Sequence, residues 1–192
     1  MSGQVILAFD TAAAHCAAVL LSGPQELSLR IDEMAKGQAE HLLPMLTEML
    51  TDQGLGWSDV AAIGVGVGPG NFTGIRISVA AARGLALGLG IPAVGVSAFA
   101  AAAHDLPRPV TVHLPAPQDM AYVQTLGDRG DSVPSLVPRP AAMVSVPPSQ
   151  GIRAIGRITA ATWQQPNPRP APLYVRPADA APPRDPAPVI LP

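Results

Sequence analysis

Residues 61–90, AAIGVGVGPGNFTGIRISVAAARGLALGLG, read as strand, glycine turn and helix. In the strand, residues 61–67, Ile63, Val65 and Val67 share one pleated face, while the alanine and glycine between them let a helix or another backbone approach the second face closely. Gly68, Pro69 and Gly70 stop the strand, and Asn71 or Thr73 is placed to cap the helix by accepting from its unpaired first N–H groups. In that helix, residues 74–89, Ile75, Val79, Ala82, Ala86 and Leu89 recur at steps of three and four, the stripe that packs on a sheet. Ala80, Gly84 and Gly88 form a second row, flanked by Arg76, Arg83 and Leu87. Each glycine there costs about 1 kcal/mol of helix propensity relative to alanine. Close packing within the domain and contact with a partner's helix are the two readings of such a smooth row.

On the N-terminal side, VILAFD at 5–10 reads as a buried strand ended by Asp10 and Thr11. Residues 16–21 and 26–31 follow around a turn at Ser22, Gly23 and Pro24, giving an antiparallel meander. A helix is expected over 39–52, with Leu42, Met45, Leu46 and Met49 as its stripe, Leu43 and Leu50 widening it, Pro44 in its first turn and Gly54 closing it. So wide a stripe, with two adaptable methionines, is either core or partly a partner surface. Beyond the opening run come a strand at 92–97 and a short helix at 98–104. Three meander strands followed by helix, strand, helix, strand, helix predict an α/β fold: a mixed sheet with helices, as in one lobe of the actin-like ATPase and ribonuclease H-like folds.

Composition shifts after His104, where 19 of the 23 prolines lie. Strands are expected at 110–114, 120–126 and 153–158, an extended segment at 173–176, and an extended or mobile stretch at 180–192. The expected division is an N-terminal lobe, 1–104, and a reduced, proline-rich C-terminal lobe, 105–192.

The 192 residues carry 14 acidic and 12 basic side chains, a net charge of −2, with Lys36 the one lysine. Without a concentrated basic stripe, independent tight RNA binding is disfavoured. The single cysteine, Cys16, and an N-terminus lacking a leader pattern point to the cytoplasm. Charges interrupt every long apolar run, so no membrane span is expected.

Few residues offer chemistry. The glycine turn fails the Walker pattern, because Gly74 is followed by Ile75 and Arg76, and it fails the dinucleotide pattern for want of a third glycine. An anion at the helix N-terminus remains open. Asp10 and Thr11 stand at a strand end, but the loop Ala12-Ala13-Ala14-His15 supplies neither hydroxyl nor lysine, so Asp10 is expected to cap the turn. His15, His41, His104 and His113 lack metal-ligand spacing, and Ser78, Ser97 and Cys16 have no local base, so neither a metal nor a catalytic residue is expected.

Gly68-Pro69-Gly70-Asn71-Phe72-Thr73-Gly74-Ile75-Arg76, with Ala82-Arg83-Gly84-Leu85-Ala86 and Ile91-Pro92-Ala93-Val94-Gly95-Val96-Ser97, closely resembles the bacterial TsaB (YeaZ) family of tRNA threonylcarbamoyladenosine biosynthesis. Leu7-Ala8-Phe9-Asp10-Thr11 and His41-Leu42-Leu43-Pro44 extend the match over the first hundred residues, and Pro172-Leu173-Tyr174-Val175-Arg176 is similar to the family's closing segment. The chain departs from it at Pro117-Gln118-Asp119-Met120-Ala121-Tyr122, where an acidic and arginine-bearing segment is usual.

The resemblance implies an actin-like fold without catalysis, in a subunit that pairs through two helices with the catalytic TsaD, which the ATPase TsaE joins. It implies His41, Met45, Met49, Arg76, Ala80, Arg83, Gly84, Leu87 and Gly88 as the interface. It implies no cofactor of the chain's own, ATP or ADP at the partner interface, tRNA met only through the complex, and a homodimer when alone. A different class of function, a stand-alone ATPase or glycoprotease-like peptidase, would need an acid, phosphate loop or metal pair built from Asp10, His15 and His41. Direct tRNA binding through Arg153, Arg157, Arg169 and Arg176 is a third reading, set against a solvated loop surface.

Overall fold

The computed structural model describes residues 3–141, 143 and 146–175. The expected stretch 180–192, Arg176 and the first two residues lie outside these.

Strands β1 (Val5–Asp10), β2 (His15–Ser22) and β3 (Gln25–Glu33) form the antiparallel meander. Helix α1 (Gln38–Asp52) and a 3-10 turn at Trp57–Asp59 lead to β4 (Val60–Gly66), which pairs parallel to β1. Helix α2 (Phe72–Leu89) then crosses to β5 (Ala93–Val96), parallel to β4, and α3 (Ala98–Ala102) follows. The sheet order β3-β2-β1-β4-β5 is the mixed sheet of an actin-like lobe. Strands β6 (Val110–Ala116), β7 (Met120–Leu126) and β8 (Ser135–Pro138) make a second, antiparallel sheet, and α4 (Pro148–Thr162) follows.

Alternation along the strands sorts the core into two layers. Leu7, Phe9, Cys16, Ala18, Leu20, Ile63 and Val65 face α1 and α2, where Leu42, Met45, Leu46, Met49, Ile75 and Val79 meet them. Ile6, Ala8, Ala17, Val19, Leu21 and Ala62 face the other way, toward α3 and α4, where Ala101, Ile152 and Ile155 cover them. The glycine-bearing face of β4 admits α4 closely, as its composition implies: a Cβ on Gly64 would collide with the Thr159 hydroxyl.

Asn71 caps α2, its Oδ1 accepting from the Gly74 N–H at 2.9 Å, whereas Thr73 lies inside the helix. Gly54 closes α1 in the left-handed region at φ 68°, its N–H donating to Thr51 O, and Leu55 N–H reaches back to Leu50 O.

Three expectations are corrected. Pro44 is not in the first turn but is the seventh residue of α1. It is exposed, as is Glu40, so the Glu40 carbonyl left without an N–H partner can take water instead. Residues 153–158 are not a strand but the middle of α4, where Ile152, Ile155 and Thr159 are buried at helical spacing. The break between lobes does not fall simply at 104, because α4 returns to pack against β1, β2, β4 and β5 of the first sheet. The β6-β7-β8 sheet is separate from that sheet, and α3, Val112 and Leu126 join the two. The extended segment is held by Leu173, whose N–H donates to Val67 O at 2.8 Å.

Candidate functional site

Two places gather the residues singled out in the sequence: the outward side of α1 and α2, and the cleft where the glycine turn faces the second sheet.

Because α1 and α2 pack on the same face of the sheet, their outward sides are presented together. On α2 the buried stripe is Ile75, Ser78, Val79 and Ala82, with Ser78 Oγ bonded to Gly66 O and Ile75 O at 3.1 Å each. Ala80, Arg83, Gly84, Leu87 and Gly88 all lie outward, and Leu87 is 86% exposed. A Cβ built on Gly84 or Gly88 meets nothing within 4 Å. Among the described residues nothing covers the row, and packing by them does not account for it. By length and composition α2 is also apolar enough to cross a membrane, but its Ile75, Val79 and Ala82 are committed to the core.

On α1 the structure corrects two interface residues. Met45 is 0% and Met49 2% exposed, both packed on the sheet, so neither has surface to offer a partner. Leu43, Thr47 and Thr51 face outward instead along a shallow groove, and Leu43 is 43% exposed. Periodicity located the stripe; it did not separate its buried rows from its rim. His41 is half-buried, its Nε2 2.6 Å from Asp32 Oδ2. Asp32 Oδ2 also accepts from Arg30 Nε at 2.9 Å, and Arg30 Nη1 donates to Glu48 Oε2 at 2.7 Å. This chain of polar contacts ties α1 to β3, and Glu48 raises the Arg30 pKa through its hydrogen bond.

Arg76 lies in an aromatic clamp that sequence reading did not foresee. Its guanidinium sits 3.7 Å from the Phe72 ring centroid, and its Nε donates to Tyr174 Oη at 2.9 Å. The Phe72 and Tyr174 rings are 5.1 Å apart. The signature turn and the closing segment thus meet at the first turns of α2. The resemblance had supplied both pieces, but nothing local in either predicts their contact.

The glycine turn is shaped by close approaches. A Cβ on Gly74 would strike the Thr11 carbonyl, and one on Gly70 would come within 2.5 Å of Ala12 O. Thr11, fully buried, donates to Gly74 O at 2.7 Å, and Asn71 N–H donates to Ala12 O at 2.7 Å. The turn is thereby locked to the β1–β2 loop. Asp10 does not cap that loop as expected. Its carboxylate faces the cleft and pairs with His15 Nε2 at 3.4 Å. Among the described residues no group of three or more histidine, cysteine, aspartate or glutamate side chains is placed to hold a metal. Ser97 is occupied as the cap of α3, accepting from Ala100 N–H at 3.0 Å. Of the arginines considered for tRNA, Arg153 is paired with Glu26 at 2.7 Å, Arg157 and Arg169 are exposed, and Arg176 lies outside the described residues. That pairing, through the Arg153 hydrogen bond first, holds the Glu26 carboxyl below its ordinary range.

A family model described as TsaD: tRNA N6-adenosine threonylcarbamoyltransferase matches residues 32–128. Among solved structures, the chain is similar to an uncharacterized protein with similarity to peptidase YEAZ from Pseudomonas aeruginosa. That likeness has 23% identity and a TM-score of 0.71, over 90% of this chain and 100% of the other. It is also similar to YeaZ from Pseudomonas aeruginosa, at 24% identity and a TM-score of 0.66, over 89% of this chain and 99% of that one. No curated protein matches the chain.

Proposed function

Because the chain belongs to the family of TsaD, tRNA N6-adenosine threonylcarbamoyltransferase, we propose that it serves tRNA modification as a TsaB-like, non-catalytic scaffold that docks on a catalytic TsaD subunit. The observation that carries this reading is the uncovered row Ala80, Gly84 and Gly88 on α2, beside the 86%-exposed Leu87. Two glycines in a solvated helix lower its stability with no local return, whereas a partner helix seated against them recovers it through backbone-close packing. Arg83 at the border of the row, and Leu43 and Thr47 on α1, extend the same surface. In this reading TsaE and a nucleotide are met at the assembled interface, tRNA is met through the complex, and the face pairs with a second copy when no partner is present.

A stand-alone ATPase is less well supported. The cleft beside the glycine turn presents the Asp10 carboxylate, and no lysine or arginine is among its described lining residues, so a polyphosphate would meet repulsion there.

The test is co-purification with TsaD. Gly84→Leu has room on the isolated chain and should leave its melting temperature unchanged or higher, yet reduce TsaD binding at least tenfold. Undiminished binding by the folded variant would remove the α2 face as the interface. Reconstituted tRNA modification with and without the chain tests the role itself.

A further inference from the structure

The cleft between the first sheet and the β6-β7-β8 sheet has a volume of 560 Å³, within the range of small-molecule sites. Its walls come from the β1–β2 loop, the glycine turn, α3, β6 and α4, and they are mostly alanine, proline, glycine and isoleucine. Asp10, His15, Asn71 and Tyr122 are the lining side chains that can hydrogen-bond. Asn71 Oδ1 is taken by the Gly74 N–H. The acid is held in place by the fold: any Cβ on Gly66 would collide with the Asp10 carboxylate, so the glycine is what lets that side chain turn toward the cleft. Asp10 is only 18% exposed, and its partner His15 carries charge only when protonated. A carboxylate in an apolar cleft with neither lysine nor arginine among its described lining residues selects for charge: it repels phosphates and carboxylates and attracts a cation.

We propose that this cleft binds an organic monocation with an apolar body, a primary ammonium on the Asp10 carboxylate and hydrocarbon against Leu114 and Tyr122. The site is separate from the α2 face, so its fate does not depend on the scaffold reading.

Three probes sharing one body test it by calorimetric titration of the full chain at pH 7.5: 4-phenylbutylammonium, 4-phenylbutanol and 4-phenylbutyrate. The cation should bind saturably and at least tenfold more tightly than the alcohol, and the carboxylate should not bind. Asp10→Asn should lower the affinity for the cation at least tenfold and leave that for the alcohol unchanged. Gly151→Leu supplies a second route, because Gly151 lines the cleft and a Cβ there meets nothing within 4 Å. That leucine should fill the cavity and abolish binding of both cation and alcohol in a folded protein. Absence of saturable binding by the cation, equal affinity for alcohol and cation, or unaltered binding to folded Asp10→Asn or Gly151→Leu would overturn the proposal.

Discussion

Cys16 shows how a side chain's surroundings set its chemistry. Fully buried on β2, with Sγ 3.7 Å from Met34 Sδ, it has its pKa pushed up to about 11 from an ordinary 9.0, first by burial and then by the charges of Asp32 and Asp10. Because the folded-state pKa is the higher one, the protonated thiol's contribution to stability is complete below pH 9 and is lost as pH rises toward 11. At about 1.4 kcal/mol per pKa unit, the loss should be about 2–3 kcal/mol. Urea unfolding of the native chain at pH 8, 9, 10 and 11 should show it, and Cys16→Ala should flatten that part of the slope; an equal slope in both would rule the thiol out as its source. Residue roles were unevenly legible. Asn71 and Gly54 were readable because capping is a local code. The stripe that buries Met45 and Met49 was readable from helical spacing, but that neither reaches the rim was not, since it depends on how closely β2 approaches α1.

Among the elements, α4 was the one misread, and the reason is physical. Residues 153–158 make a short, partly apolar run of strand length in a proline-rich region, but Ile152, Ile155 and Thr159 keep helical spacing, and the prolines bracket the segment. Pro148 stands at the helix's first position, where a missing N–H is harmless, and Pro166 lies beyond its end. The short β8, with prolines on either side of its core, gave no pattern long enough to detect. The parallel pairing of β4 with β1 and β5 was legible because each crossover carries its own amphipathic helix. Ile152 is 2% exposed against Ile6, Ala17 and their neighbours. Ile152→Ala should therefore destabilise the protein by about 2–5 kcal/mol in chemical denaturation. An effect below about 1 kcal/mol would mean that α4 is only loosely docked.

At the scale of the molecule, helices cover both faces of one sheet, and the later part of the chain supplies one of those helices. Such interleaving predicts one cooperative unfolding transition rather than two lobes melting in turn. The two tryptophans report on opposite layers, Trp57 beside the α1–α2 core and Trp163 beside the α4 core. Single-tryptophan variants, Trp57→Phe and Trp163→Phe, should give the same midpoint relative to their own circular-dichroism curves. Separate fluorescence and dichroism transitions in either would show that the layers unfold independently.

The bond from Leu173 to Val67 and the clamp of Tyr174 on Arg76 also fix how the molecule bears load. A pull on the chain beyond residue 175 enters at the end of β4, at the first turns of α2 and at the small core under β6 and β7, where Leu173 and Val175 also pack. Tension from anything tethered there is thus shared between the second sheet and the helix that carries the glycine row.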